Sequence, residues 1–174
     1  MAQRRISSVI PEHFTTAHGE HVTLAMVVQQ LNDYVVTAPD RQYRLIIGTD
    51  SLAGRKQRVE FITALVIHRV GAGGRYFWQS AIQAPIVTLR ERMYHEALLS
   101  IHLAQRLVGE KTLQTLLSLG ELEIHVDIGR QGPTREMIQE IVGMVKAHGF
   151  AVRIKPDAFA ASKVADRHTV ALVD

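Results

Sequence analysis

The sequence predicts an α/β fold, a mixed sheet with helices on both faces. Three observations carry that prediction. Runs rich in β-branched residues at 43–48 and 59–70 are followed by a third apolar run at 75–80 across the glycine connection 71–74. Joints this tight allow only antiparallel pairing. Beyond residue 88 the apolar period becomes helical, and strands then alternate with helices, which implies parallel pairing through crossovers.

The elements follow in chain order. Residues 1–20 read as an irregular lead-in. "VTLAMVVQQLNDYV" reads as a short helix with Thr23 as its cap, broken by "TAPDRQ". Residues 1–40 are thus an N-terminal extension to a domain at 41–174. "YRLIIG" is the first strand, and "SLAGRKQR" reads as a basic loop. "VEFITALVIHRV" and "RYFWQS" form the second and third strands around "GAGG". Apolar residues at 89, 93, 97, 101, 104 and 108 then recur at helical spacing. "ELEIHVDIG" is a fourth strand, and "TREMIQEIVGMVKAH" a helix with Pro133 near its first turn and Gly149 at its end. "FAVRIK" is a fifth strand stopped by Pro156, and "AFAASKVADRH" a last short helix.

Composition bounds the function. A chain of 174 residues that is 47% hydrophobic can bury a full core. It has no cysteine, which excludes disulfides and thiolate metal sites. No apolar run reaches the ~18–20 residues that cross a bilayer. "MAQRRISSVI" makes a poor signal peptide, so the default expectation is cytoplasmic with no membrane partner. A net charge of +3 permits a polyanionic partner without requiring one.

The chemistry lies in the acids. Asp50 closes the first strand and Asp127 the fourth, each after an apolar run. Ligands of such sheets gather beyond the carboxyl ends of the parallel strands. Two carboxylates held that close need a shared proton or a cation between them, and an oxygen-only donor set favours a hard divalent ion. On the helical wheel Glu96 lies beside Leu89, Met93, Ser100 and Leu103, at the edge of the apolar face, whereas Glu91 points away and stands in reserve. Asp166, between Lys163 and His168, is a fourth candidate. Taken singly, Asp50 and Asp127 also suit turn caps.

The segments "GTDS", "RERMYHEALLS", "IHVDIG", "GPT" and "KPDAFAASKVADRHT" resemble the YkuK-type family of ribonuclease H-like proteins over roughly residues 42–170. The resemblance implies a five-stranded sheet of order 3-2-1-4-5 with strand 2 antiparallel. It implies four acids, Asp50, Glu96, Asp127 and Asp166, as catalytic residues and metal ligands. It also implies Mg²⁺ or Mn²⁺ in pairs about 4 Å apart and hydrolysis of a nucleic-acid phosphodiester. No counterpart of a basic handle for RNA–DNA hybrids is present, so DNA and RNA both stay open.

Backbone contacts to that nucleic acid fall to Arg55, Lys56, Arg58, Arg130, Lys155, Lys163 and Arg167, with His168 in reserve for proton transfer. Tyr76, Phe77 and Trp78 suit a stacking platform or ordinary packing. His95 and His102, seven apart on one helix, make no zinc pair. The rival readings are a nucleic-acid-binding protein without catalysis, a partner-binding domain or homodimer joined through the third strand or the N-terminal helix, and a hydrolase of small phosphate esters.

Overall fold

A computed structural model describes residues 11–53, 58–83, 85–110, 120–129, 132, 134–159, 163–164 and 167–168. Its first strands lie where an irregular lead-in was expected. β1 (His13–Thr16) and β2 (His21–Thr23) form a hairpin, and α1 (Leu24–Val36) follows at once. Phe14 and Val22 are buried while His13, His21 and Thr23 are exposed, an alternation too short to stand out in the sequence. Thr23 ends β2 and caps α1, its hydroxyl accepting from the Met26 amide at 3.3 Å.

The remaining elements are β3 (Tyr43–Ala53), β4 (Val59–Arg69), β5 (Gly74–Gln83), α2 (Leu89–Gly109), β6 (Gly120–His125), a 3₁₀ turn (Arg135–Met137), α3 (Ile138–Ala147) and β7 (Ala151–Arg153). Residues 163–164 and 167–168 are helical. The sheet has seven strands, not five, in the order β2-β1-β5-β4-β3-β6-β7. Its inner five reproduce the expected 3-2-1-4-5 arrangement. β4 runs antiparallel to β3 and β5, while β3, β6 and β7 are parallel. The N-terminal hairpin adds to the edge through Thr15↔Trp78 and Thr16↔Phe77.

β3 also extends further than expected. Ser51, Leu52 and Ala53 belong to it rather than to a loop, because the ladder to β4 continues from Tyr43↔Arg69 to Ala53↔Val59. The β4–β5 turn needs its glycines. Gly71 and Gly73 hold φ of 77° and 81°, where a Cβ is strained. Gly120 opens β6 against β3, and a Cβ there would lie 2.4 Å from the Tyr43 carbonyl oxygen.

Strand alternation divides the sheet into two faces. One carries Tyr43, Leu45, Ile47, Leu65, Ile67, Phe77 and Ile124, which share a core with buried residues of α1, α2 and α3. The other carries Ile46, Gly48 and Asp50 of β3, Tyr76 and Trp78 of β5, and Glu123 and His125 of β6. On it His168 stacks on Trp78 with ring centroids 4.4 Å apart.

α2 begins with a capping box. The Thr88 hydroxyl accepts from the Glu91 amide at 3.1 Å, and Glu91 Oε2 accepts from the Thr88 amide at 3.0 Å. Thr88→Ala is expected to cost about 1 kcal/mol in urea unfolding. An unchanged midpoint would show that packing alone sets the start of this helix.

Candidate active site

β3 and β6 are parallel neighbours, so Asp50 and Asp127 follow adjacent strands, and the charges of both act on Glu96 and on Lys155. The register pairs Ile47 with Ile124 and Gly48 with His125. The ladder ends at that pair; Asp50 and Asp127 each lie two residues beyond it, and Asp50 is on the face of β3 opposite α2. Asp127 follows β6 at the centre of a tight turn, closed by the Ile128 amide donating to the Val126 carbonyl at 2.8 Å, while the Val126 amide donates to the Arg153 carbonyl and the Lys155 amide to the Ile128 carbonyl, both at 2.9 Å. Asp50 Oδ1 accepts from the Ser51 amide at 2.8 Å.

Alternation turns Ser51 to the other face, toward α2. There its hydroxyl donates to Glu96 Oε1. It accepts from Arg92 Nε at 3.0 Å and from Arg92 Nη2 at 2.9 Å, and the same Nη2 reaches the Ser51 carbonyl at 2.9 Å. One residue earlier, Thr49 Oγ1 lies 3.0 Å from Thr63 Oγ1 and 2.8 Å from Ser100 Oγ. These buried hydroxyls fix α2 against β3 and β4 directly behind the acids.

Glu96 is 2% exposed. Its Oε2 is buried without a hydrogen-bond partner. Burial pushes its pKa up to about 8; the Ser51 hydrogen bond opposes this, and the charges of Asp50 and Asp127 add to it. Both aspartates therefore act on Glu96 from across the strand ends. Glu91 is exposed, and its carboxylate serves the capping box, whose amide hydrogen bonds hold its pKa low.

Lys155 supplies the positive charge here. Its Nζ lies 2.7 Å from Asp127 Oδ1, with 54% of its side chain exposed. The hydrogen bond to Asp127 raises the lysine pKa, and Asp50 contributes further. Lys163 is exposed with its Nζ 5.5 Å from the centre of the Phe159 ring, and Arg58 and Arg167 are exposed. His168 has Nε2 3.4 Å from the Tyr76 hydroxyl, and burial lowers its pKa. Arg55, Lys56, Arg130 and Asp166 lie outside the described residues.

Of the aromatic trio, Phe77 is core, while Tyr76 and Trp78 face His168. His125 is buried, its pKa lowered by that burial, and its Nδ1 accepts from the Phe159 amide at 3.2 Å. His95 packs near Phe61, with ring centroids 5.8 Å apart. Sequence reasoning passed over Ser51 and Arg92. The signal was available, since Ser51 adjoins Asp50 and Arg92 stands one helical turn before Glu96.

Residues 26–170 match the family described as ribonuclease H-like. The chain belongs to that family. It is 34% identical over 161 residues to the "Uncharacterized protein YkuK" of Bacillus subtilis (strain 168), covering 85% of this chain and 91% of the relative. No solved structure matches. As in the order expected from the sequence, the strand that carries Asp50 is the middle one of the inner five, β5-β4-β3-β6-β7.

The acids near these strand ends offer only carboxylate oxygens, the donor type that hard divalent cations take. The donors are carboxylate oxygens, Glu96 Oε2 is buried and unmatched, and a lysine ammonium is already drawn to Asp127. Among the described residues, no three His, Asp or Glu side chains converge closely enough to hold a metal ion by themselves. Among the same residues, no helix is long and apolar enough to cross a membrane.

Proposed function

We propose that this protein hydrolyses a nucleic-acid phosphodiester with the help of Mg²⁺ or Mn²⁺. One observation carries the reading. A buried carboxyl with an unmatched oxygen, Glu96, lies under the charges of two aspartates at the ends of parallel strands. Such a group stays protonated at neutral pH unless a cation takes the proton's place.

Asp50, Asp127 and Glu96 would hold the cation, with Asp166 as the fourth acid. The chemistry supplied when it is bound is polarisation of a phosphoryl oxygen and acidification of water. The chain's own work is to position those carboxylates and to grip the phosphate backbone. Lys155 stands beside Asp127, and Lys163, Arg167 and Arg58 are exposed cations for the flanking phosphates. Arg55, Lys56 and Arg130 are proposed for the same task from sequence alone. DNA and RNA both fit these contacts, which read charge rather than base edges.

A second reading rests on Lys155. An ammonium seated on Asp127 neutralises part of the site without a metal. That favours a ribonuclease H-like domain that binds nucleic acid and leaves it intact.

The deciding experiment is a cleavage screen of DNA, RNA, hybrid and junction substrates with Mg²⁺ or Mn²⁺, run beside Asp50→Asn. The expected result is cation-dependent product from the native chain, and at least about 100-fold less from the variant. Equal product from both would assign the cleavage to a contaminant. Salt-sensitive binding without product would establish the second reading.

A further inference from the structure

Two arginines share one tyrosine ring at the end of the sheet that lies away from Asp50. Arg69 closes β4 opposite Tyr43, and Arg75 stands near the start of β5 opposite Ile67. Tyr43 and Ile67 belong to the core that α1 covers, so both arginines turn to that face. There they meet Tyr34 of α1. The guanidinium carbon of Arg69 lies 4.1 Å from the Tyr34 ring centre and that of Arg75 5.0 Å. Tyr43 fixes the ring through a T-shaped contact, with centroids 6.1 Å apart.

Arg69 is held by neutral acceptors. Its Nε donates to the Tyr43 hydroxyl at 2.9 Å, and its Nη2 donates to the Tyr34 carbonyl at 2.7 Å and to the Thr37 hydroxyl at 2.6 Å. These contacts secure the last turn of α1, where the helix dipole favours a cation. They leave both hydrogens of Nη1 uncommitted among the described residues. Capping accounts for Arg69 but not for Arg75. Arg75 is exposed and makes no hydrogen bond among the described residues. Neither arginine has an acid partner among those residues. Two like charges drawn to one ring repel each other, and an anion that joins them relieves that repulsion.

We propose that Arg69 and Arg75 form a phosphate subsite for the backbone of a nucleic acid, separate from the acids at the other end of β3. The inference rests on the nucleic-acid partner of the reading above and on none of its chemistry. Guanidinium forks match phosphate oxygens in pairs, and here the ring and the helix cap hold them ready. The pair is open to solvent rather than set in a closed pocket, so it holds a lone phosphate weakly. A polymer adds this contact to its others and gains from it. Arg75 and the acids lie on opposite faces of the sheet, so the subsite grips a different stretch of backbone from the one that reaches Asp50.

Fluorescence anisotropy with labelled single-stranded DNA and RNA of about 30 nucleotides, in chelator, tests this without cleavage. Arg75 is the residue to change, because Arg69 also serves α1. Arg75→Gln is expected to weaken binding about threefold or more and to lower the slope of log affinity against log salt by about 0.7. Arg75→Lys keeps the charge and is expected to keep the native slope while losing part of the affinity with the fork. Arg90→Gln, which removes an exposed arginine already paired with Glu140, is the control expected to bind more nearly as native does. Urea unfolding of each variant reports any general loss of structure. Native affinity and slope in Arg75→Gln overturn the subsite and leave the nucleic-acid reading standing. A native chain that binds neither strand overturns both, and Arg75-dependent uptake of inorganic phosphate by that chain would assign the pair to small phosphates instead.

Discussion

Glu96→Gln is expected to stabilise the metal-free protein at alkaline pH and to abolish cation-dependent cleavage. The unfolded carboxyl titrates near 4.5, and the folded one is raised to about 8. Between those values the unfolded chain has released its proton while the native state retains it. Raising the pH through this window therefore favours unfolding. The contribution of neutral Glu96 is complete below about pH 4.5, declines as pH rises, and is fully lost above about 8. At about 1.4 kcal/mol per pKa unit, the whole window is on the order of 5 kcal/mol. Glutamine has the same shape, still accepts from Ser51 through its amide oxygen, and does not titrate. Urea unfolding in chelator at about pH 5 and about pH 8.5 should show a steep loss for the native chain and a much flatter response for Gln. Parallel slopes would mean that Glu96 is ionised in the metal-free fold. The same proton predicts how metal uptake depends on pH. Mn²⁺ must displace it, so affinity should climb about tenfold per pH unit until Glu96 is ionised.

Most of the inner sheet was legible because its strands are long. Runs 59–70 and 75–80 read as a hairpin, and β4 and β5 pair from Val59↔Gln83 to His68↔Gly74. The outer hairpin was not legible. Strands of four and three residues carry no measurable period, and "HFTT" and "HVT" gain their burial only by docking on β5 and α1. The end of β3 was misread for a different reason. Gly-Thr-Asp-Ser is turn chemistry by local preference, but a full ladder to β4 overrides it, pairing Asp50 with Ile62 and Ser51 with Phe61. Within α2, periodicity set Glu96 at the edge of the apolar face and Glu91 away from it. In the fold one is buried and the other is exposed in a cap. Periodicity cannot show that Ser51 turns to the Glu96 face while Asp50 turns to the opposite one. That needs the register of two strands and the height of a helix above them.

The second large effect is expected at Glu123, on the same strand as Asp127. Its side chain is fully buried, and both its oxygens are charge-paired. Arg44 Nη2 lies 2.5 Å from Oε1 and Arg153 Nε 2.9 Å from Oε2, with His125 Nε2 3.8 Å from Oε1. Arg44 comes from β3 and Arg153 from β7, so one carboxylate joins three parallel strands. Glu123→Ala would leave two guanidinium groups turned toward an empty buried position. Breaking a buried pair from one side costs about 3–5 kcal/mol. Arg44 and Arg153 keep 35% and 47% of their side chains exposed, so water offsets part of that loss. An expected cost of about 2–3 kcal/mol remains. Glu123→Met fills the space, and the arginines can turn to solvent, so it should lose less than Ala. Exposed Glu140, which pairs with Arg90 and accepts from Tyr94 across α2 and α3, is the control whose removal should move the urea midpoint far less. If Ala and Met at 123 prove equally mild, the three strands are held by their backbone ladders and apolar face alone. The arginine pair would then be free to contact a ligand rather than needed to hold the sheet.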